Sequence, residues 1–242
     1  MKLSVVIPVY NESEIVEESM RELAAHMAER YPGGEVIFVN DGSTDNTAEI
    51  CSDTAESLGE EYGGRVTVRA LGYEVNKGKG HAVRTGMLAA AGDCVLFTDC
   101  DFAYGLDIMD EFTAVCPGEC DVAAGSRAIH PEGFAGYSLP RIIMSKVYLT
   151  FVKLMSGYRG SDSQTGIKAF SHEAARAIFS KCGIDRFAFD LEALLIANKF
   201  GFSIKEIPVS IVRHRPSHIN FFKDTIRMLK DIKIMKGRIK KL

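Results

Sequence analysis

Five short apolar runs, at Lys2–Pro8, Glu35–Val39, Val66–Ala70, Asp93–Thr98 and Asp121–Ser126, are separated by stretches long enough to hold a helix. The first is β-branched and continuous rather than alternating, which is the pattern of a parallel strand buried on both faces. The segments between carry helical signals. One helix runs to about Arg30 behind an Asn11/Glu14 pair that matches a capping box, and an amphipathic one covers Ala82–Ala91. Strand and helix in alternation predict an α/β fold with a Rossmann-like, mostly parallel sheet and helices on both faces. A chain of 242 residues suffices for one such domain with a substantial core.

In open α/β sheets ligands bind beyond the carboxyl ends of the strands. Three run ends carry polar clusters: Asn11-Glu12, Asp41-Gly42-Ser43 and Asp99-Cys100-Asp101. Each alone has a bland reading, since Asp41 and Ser43 can cap a helix and Asp99 and Asp101 can close an Asx turn. Each also has a sharper one. Asp41 can accept from a nucleobase N–H, Gly42 lets backbone approach a ligand closely, and two acids one residue apart suit a hard divalent cation shared with a diphosphate. Their common edge of the sheet lets the three loops line one crevice.

The second half is less regular. Residues 134–159 contain no acid but hold Arg141, Lys146, Lys153 and Arg159 among large apolar side chains. An interfacial helix at a membrane surface and an amphipathic core helix are both open. A loop at Asp162–Gly166, helices at Ala174–Ser180 and Asp190–Phe200, and a strand within Phe202–Val212 follow. Lys223–Met235 repeats Ile226, Leu229, Ile232 and Ile234 among Lys and Arg, as a basic amphipathic helix does. From Arg213 onward ten Lys or Arg face two Asp, about +8 on a body of −11. The expected organisation is one domain over 1–216, with 134–159 inside it, and a basic C-terminal helix over 217–242.

The acidic body argues against nucleic acid, and no uncharged run of 18 apolar residues spans a bilayer. Six scattered Cys without a C-x-x-C read as reduced thiols of the cytosol, and the strand-like start shows no secretory signal. The basic C-terminal stretch is open to two readings, a solvated helix face and a contact with an anionic membrane surface; on the second the expected location is the cytoplasmic face of a membrane, held peripherally.

Ser4–Glu12, Val39–Asp45, Asn76–Gly80 and Asp99–Asp101 together resemble the family 2 glycosyltransferases of GT-A fold. Gly125–Arg127, Asp162–Lys168, Phe189–Glu192 and Glu206–Val209 narrow the resemblance to the dolichyl-phosphate sugar synthases, in particular the glucosyltransferase branch. It implies inverting, metal-dependent transfer of a hexose from a nucleotide sugar, UDP-glucose foremost, to a polyprenyl (dolichyl) phosphate. The alternatives are a GDP-mannose-using mannosyltransferase and a soluble enzyme with a hydroxyl acceptor.

The same resemblance implies that Pro8, Tyr10, Asn11, Glu12, Asp41 and Ser43 hold the nucleotide, with Lys79 and Asp99 at the diphosphate. Asp99 and Asp101 would hold Mg2+ or Mn2+ and serve catalysis through it. Arg127, Arg141, Ser145, Arg213, Arg215 and Ser217 would meet the acceptor phosphate. Asp190 and Glu192 are further catalytic candidates, to orient sugar or acceptor or act as base on a hydroxyl; as acids at a helix start they equally complement its dipole. Two departures stand out. Ala103 replaces the Gln of the mannosyl branch beside the acidic pair, and Ser217 is followed by His218 rather than Lys.

Overall fold

The computed structural model describes residues 1–137, 139–213 and 231–242, apart from the side chains at 139–141, 143–146 and 148. In chain order the elements are β1 (Leu3–Val9), α1 (Val16–Arg30), β2 (Gly34–Asp41), α2 (Thr47–Glu61), β3 (Val66–Tyr73), α3 (Lys79–Ala89) and β4 (Cys94–Phe97). Then come α4 (Met109–Val115), β5 (Val122–Ser126), α5 (Leu139–Ser156), β6 (Lys168–Ser171), α6 (His172–Phe179), α7 (Phe189–Phe200) and β7 (Ile204–Pro208). Residues 231–239 are also helical.

The strands form one sheet in the order β3-β2-β1-β4-β6-β5-β7. All neighbours pair in parallel except β6, which runs antiparallel to both β4 and β5. The mixed sheet therefore keeps the expected class, with one strand, β6, in a stretch that the sequence reading assigned to no element. β6 is four residues long, and its charged lysine interrupts the short apolar run Ile167–Phe170. Order reverses at β1, because β2 and β3 lie on one side of it and β4 on the other. The carboxyl ends of β1 and β4 flank this switch point, where such sheets open a crevice.

Both faces of the sheet are covered. In β1, Leu3, Val5, Ile7 and Val9 pack with Met20 and Leu23 of α1, Leu58 of α2 and Phe112 of α4. Val6 turns the other way, toward Val83 and Met87 of α3, Ile178 of α6 and Leu194 of α7. Burial on both faces is why the strand sequence runs apolar on both sides rather than at alternate positions, apart from Ser4, whose hydroxyl donates to Glu35 Oε1 (2.6 Å).

The Asn11/Glu14 capping box does not form. α1 begins at Val16 behind Ile15 with no side-chain cap, and Asn11 adopts a left-handed φ of 54°. Its side chain serves the neighbouring loop instead. Within 134–159, α5 buries Val152 fully in the core, as an amphipathic core helix does, while Val147 and Phe151 are half exposed and Leu154 is 77% exposed. Among the described residues no helix is long and apolar enough to cross a membrane. In the basic C-terminal segment Ile232 and Met235 are buried; residues 217–230 lie outside the described residues. All six cysteines are free and buried.

Candidate active site

The loops after β1 and β2 are laced together. Asn11 N donates to Ser43 Oγ (2.9 Å), Thr44 N donates to Asn11 Oδ1 (2.8 Å), and Glu12 N donates to Thr47 Oγ1 (2.8 Å). Asp45 accepts from Ser13 N and from both groups of Thr47. Burial alone would raise its pKa, but these donors overcome it and hold the carboxyl at about 2. Asn11 and Ser43 thus give the rim its shape. Tyr10, 45% exposed, stands free at that rim, with Pro8 partly buried behind it.

Asp41 lies at the end of β2 and is buried. Its oxygens accept from Tyr73 Oη (2.6 Å), Asn76 Nδ2 (2.9 Å), Lys77 N (2.9 Å) and Gly78 N (2.9 Å). Burial and this carboxylate push the Tyr73 hydroxyl far above its ordinary pKa. Gly42 has φ 63°, and a Cβ there would strike the backbone of Val75 and Asn76. Asp41, expected to hold the nucleotide, also anchors the 76–78 loop, which leads directly into Lys79 at the first position of α3.

Lys79 forms an ion pair with Asp99. Burial opposes its charge, yet Asp99 and Asp190 hold the ammonium above its ordinary pKa. Asp101 accepts from Ala103 N (3.2 Å), and burial followed by the Asp99 charge raises its carboxyl pKa. Two like charges held together in this way suit a cation. Among the described residues no group of three or more His, Cys, Asp or Glu converges. A divalent ion here would take Asp99 and Asp101 and complete its shell from water and a diphosphate, the habit of Mg2+. The donor set fits that ion.

Gly166 packs against Asp99 so closely that a Cβ would collide with Oδ2. Gly166→Ala is accordingly expected to move the Asp99 carboxylate and weaken Mn2+-dependent UDP binding by about tenfold or more, with little loss of melting temperature. Titration calorimetry beside a thermal melt checks this, and unchanged affinity rejects it.

The two acids of α7 part company. Asp190 Oδ1 accepts from Lys168 Nζ (2.6 Å) and belongs to the Lys79–Asp99 surroundings; burial raises its carboxyl pKa against the pull of Lys168 and Lys79. Glu192 has no exposed side-chain surface and accepts from Gly183 N, Ile184 N (both 2.7 Å) and Arg238 Nη1 (3.2 Å). It is a structural brace, which corrects its place among the catalytic candidates. Two residues apart on a helix is about 200°, so the pair cannot share a face.

Of the expected acceptor residues, Arg127 is bidentate on Asp162 (2.7 and 3.1 Å) and reaches Tyr137 with Nη1 (3.3 Å). These bonds use three of its five guanidinium N–H donors. Arg213 forks onto Glu22 (2.7 and 2.6 Å) at the surface, beside Ala103, whose carbonyl accepts its backbone N–H. Arg141 and Ser145 lie on α5, but their side chains, like Arg215 and Ser217 entirely, fall outside the described residues. Lys168 and Gly166 are site residues that sequence reading assigned no role. A lysine inside the apolar run Ile167–Phe170 was the available signal.

The family model described as Glycosyl transferase family 2 matches residues 4–179. The human dolichyl-phosphate beta-glucosyltransferase is 31% identical over 251 residues, covering 98% of this chain and 75% of the human protein. The Saccharomyces cerevisiae protein of the same name is 31% identical, covering 97% of this chain and 74% of its own length. Glycosyltransferase AglD of Haloferax volcanii is 30% identical over 94% of this chain and 36% of its own length. Among solved structures, glucosyl-3-phosphoglycerate synthase from Mycobacterium tuberculosis, in complex with Mn2+, UDP-glucose and phosphoglyceric acid, superposes with a TM-score of 0.68 at 17% identity. That match covers 98% of this chain and 79% of that one. At that identity the likeness shows a shared fold.

Proposed function

Since the chain belongs to glycosyl transferase family 2 and is a glycosyltransferase of GT-A fold, we propose that it transfers a hexose, with inversion, from UDP-glucose to a polyprenyl (dolichyl) phosphate. The observation that carries this reading is the Lys79–Asp99–Asp101 cluster at the β1/β4 switch point, which is built for a nucleoside diphosphate. The human and yeast relatives, matched over nearly all of this chain, are dolichyl-phosphate beta-glucosyltransferases, which supports the sugar and the acceptor.

On this reading Tyr10 and the rim of the first two loops receive the nucleotide, and Lys79, at the N-terminus of α3, takes diphosphate oxygens where the helix dipole also favours them. Asp99 and Asp101 would hold Mg2+ or Mn2+, whose chemistry when bound is to neutralise the departing diphosphate. Asp190 orients the sugar. The acceptor phosphate, with a second pKa near roughly 6, is already a nucleophile at neutral pH. One of its oxygens bonds to the anomeric carbon as the bond from that carbon to the diphosphate breaks. No general base is required; a hydroxyl acceptor would instead demand one, and Asp190 would be the candidate.

The deciding experiment offers labelled UDP- and GDP-hexoses, with Mn2+, with and without a short polyprenyl phosphate. The expected result is a chloroform-soluble labelled product from UDP-glucose that needs the lipid. Product from GDP-mannose alone moves the reading to that donor, and labelled product only with hydroxyl acceptors overturns the phosphate acceptor.

The outward apolar stripe of α5 and the basic C-terminal segment support peripheral attachment to the cytoplasmic face of a membrane. Co-sedimentation with vesicles containing anionic lipid should retain the protein at low salt and release it at high salt. Protein that stays in the supernatant at low salt refutes the attachment.

A further inference from the structure

Lys168 sits in β6 between Phe97 of β4 and Ala124 of β5, and its side chain has no exposed surface. A buried ammonium is costly unless it is paired and fully hydrogen-bonded, and an apolar residue of similar volume would fill the space without that cost. Its neighbours Ile167, Ala169 and Phe170 are apolar and buried, so packing alone does not ask for a lysine here. The contacts explain what does. Nζ donates to Asp190 Oδ1 (2.6 Å) and to the Thr165 carbonyl (2.7 Å), and it lies 5.5 Å from the Phe97 ring centroid.

Both of these hydrogen-bonded partners border the donor site. Thr165 immediately precedes Gly166, the residue packed on the Asp99 carboxylate. Asp190 follows Phe189, which packs on the start of α3: a Cβ on Gly80, the residue after Lys79, would lie 2.6 Å from Phe189 Cβ. One buried ammonium thus ties the wall behind Asp99 to the helix that carries Asp190.

We propose that Lys168 is a positioning residue for glycosyl transfer: it fixes the Asp190 carboxylate and the Thr165-Gly166 turn against Asp99, so that the sugar-facing acid and the diphosphate-facing acid keep a set separation. The role rests on the reading of this crevice as the donor site. Lys168 itself reaches neither sugar nor phosphate, being enclosed on every side.

The test is a double-mutant cycle of Lys168→Met, Asp190→Asn and the pair combined, read by thermal melting, by calorimetry of UDP with Mn2+, and by kcat and KM with whichever sugar nucleotide the wild type turns over. Lys168→Met leaves a buried carboxylate unpaired and should lower the melting temperature by about 10 °C. The combined variant, with neither charge left alone, should recover most of that loss. Transfer should behave otherwise: kcat falls about a hundredfold in Lys168→Met and stays down in the combined variant, while UDP affinity moves by less than about threefold. If kcat returns with the melting temperature in the combined variant, the pair is only structural and the proposal is overturned. It is equally overturned if Lys168→Met keeps kcat within about threefold of wild type. A wrong assignment of the site shows separately, as wild-type protein that does not bind UDP.

Discussion

Asp101→Asn is expected to lower hexose transfer by about a thousandfold while raising the melting temperature. The two effects share one cause. Asp101 is partly withdrawn from water and sits beside Asp99, and both circumstances raise its carboxyl pKa. A carboxyl whose pKa is higher folded than unfolded contributes stability while it is protonated, at acid pH, and that contribution is lost as pH rises through the folded value. At neutral pH the ionised group therefore weighs against the fold, and a neutral amide of the same shape relieves it. The same relief removes the charge that would hold a cation on the leaving diphosphate, so stability and catalysis move in opposite directions. Scanning calorimetry and a radiolabel transfer assay check the pair. A variant that melts lower than wild type, or one that keeps transfer within about tenfold, refutes the argument.

Glu192→Ala should do the reverse, with a loss of about 3–5 kcal/mol of stability. For a chain of this size that is roughly 10 °C in melting temperature. Truncation would orphan the Gly183 and Ile184 amides and leave Arg238 without its carboxylate. Ile184 is pressed against the start of α3, where a Cβ on Gly80 would meet its carbonyl (2.5 Å), so the brace also supports the helix that begins with Lys79. Glu192→Gln keeps an oxygen for the two amides and should cost only about 1 kcal/mol. Below its melting point Glu192→Ala should retain most of its kcat, whereas Asp190→Asn should not. Denaturant unfolding with kinetics on the same preparations separates the two acids, and a large kcat loss in Glu192→Gln would restore Glu192 to the catalytic set.

The contrast between these two acids shows how far the sequence could be read. Both appear as acids at the start of one helix, and nothing in their spacing says that one meets a buried lysine and the other a backbone turn. Asp41 teaches the same lesson, since its place at a strand end was legible but its four donors come from β3 and the 76–78 loop, about 35 residues away in the chain. Asn11, in a capping-box pattern, was drawn off by Thr44 of the neighbouring loop after β2.

What the sequence determined by itself was the α/β class, the central strands and the edge on which the acidic pair would fall. A strand covered on both faces is predominantly apolar on both, and parallel strands end on one side of the sheet; these constraints are local or topological and leave their mark along the chain. Only the tertiary structure decided the antiparallel β6, the burial of Lys168 and the division of labour along α7. Those rest on which groups far apart in the chain come within hydrogen-bond reach, and a buried charge shows its partner only when the chain has closed around both.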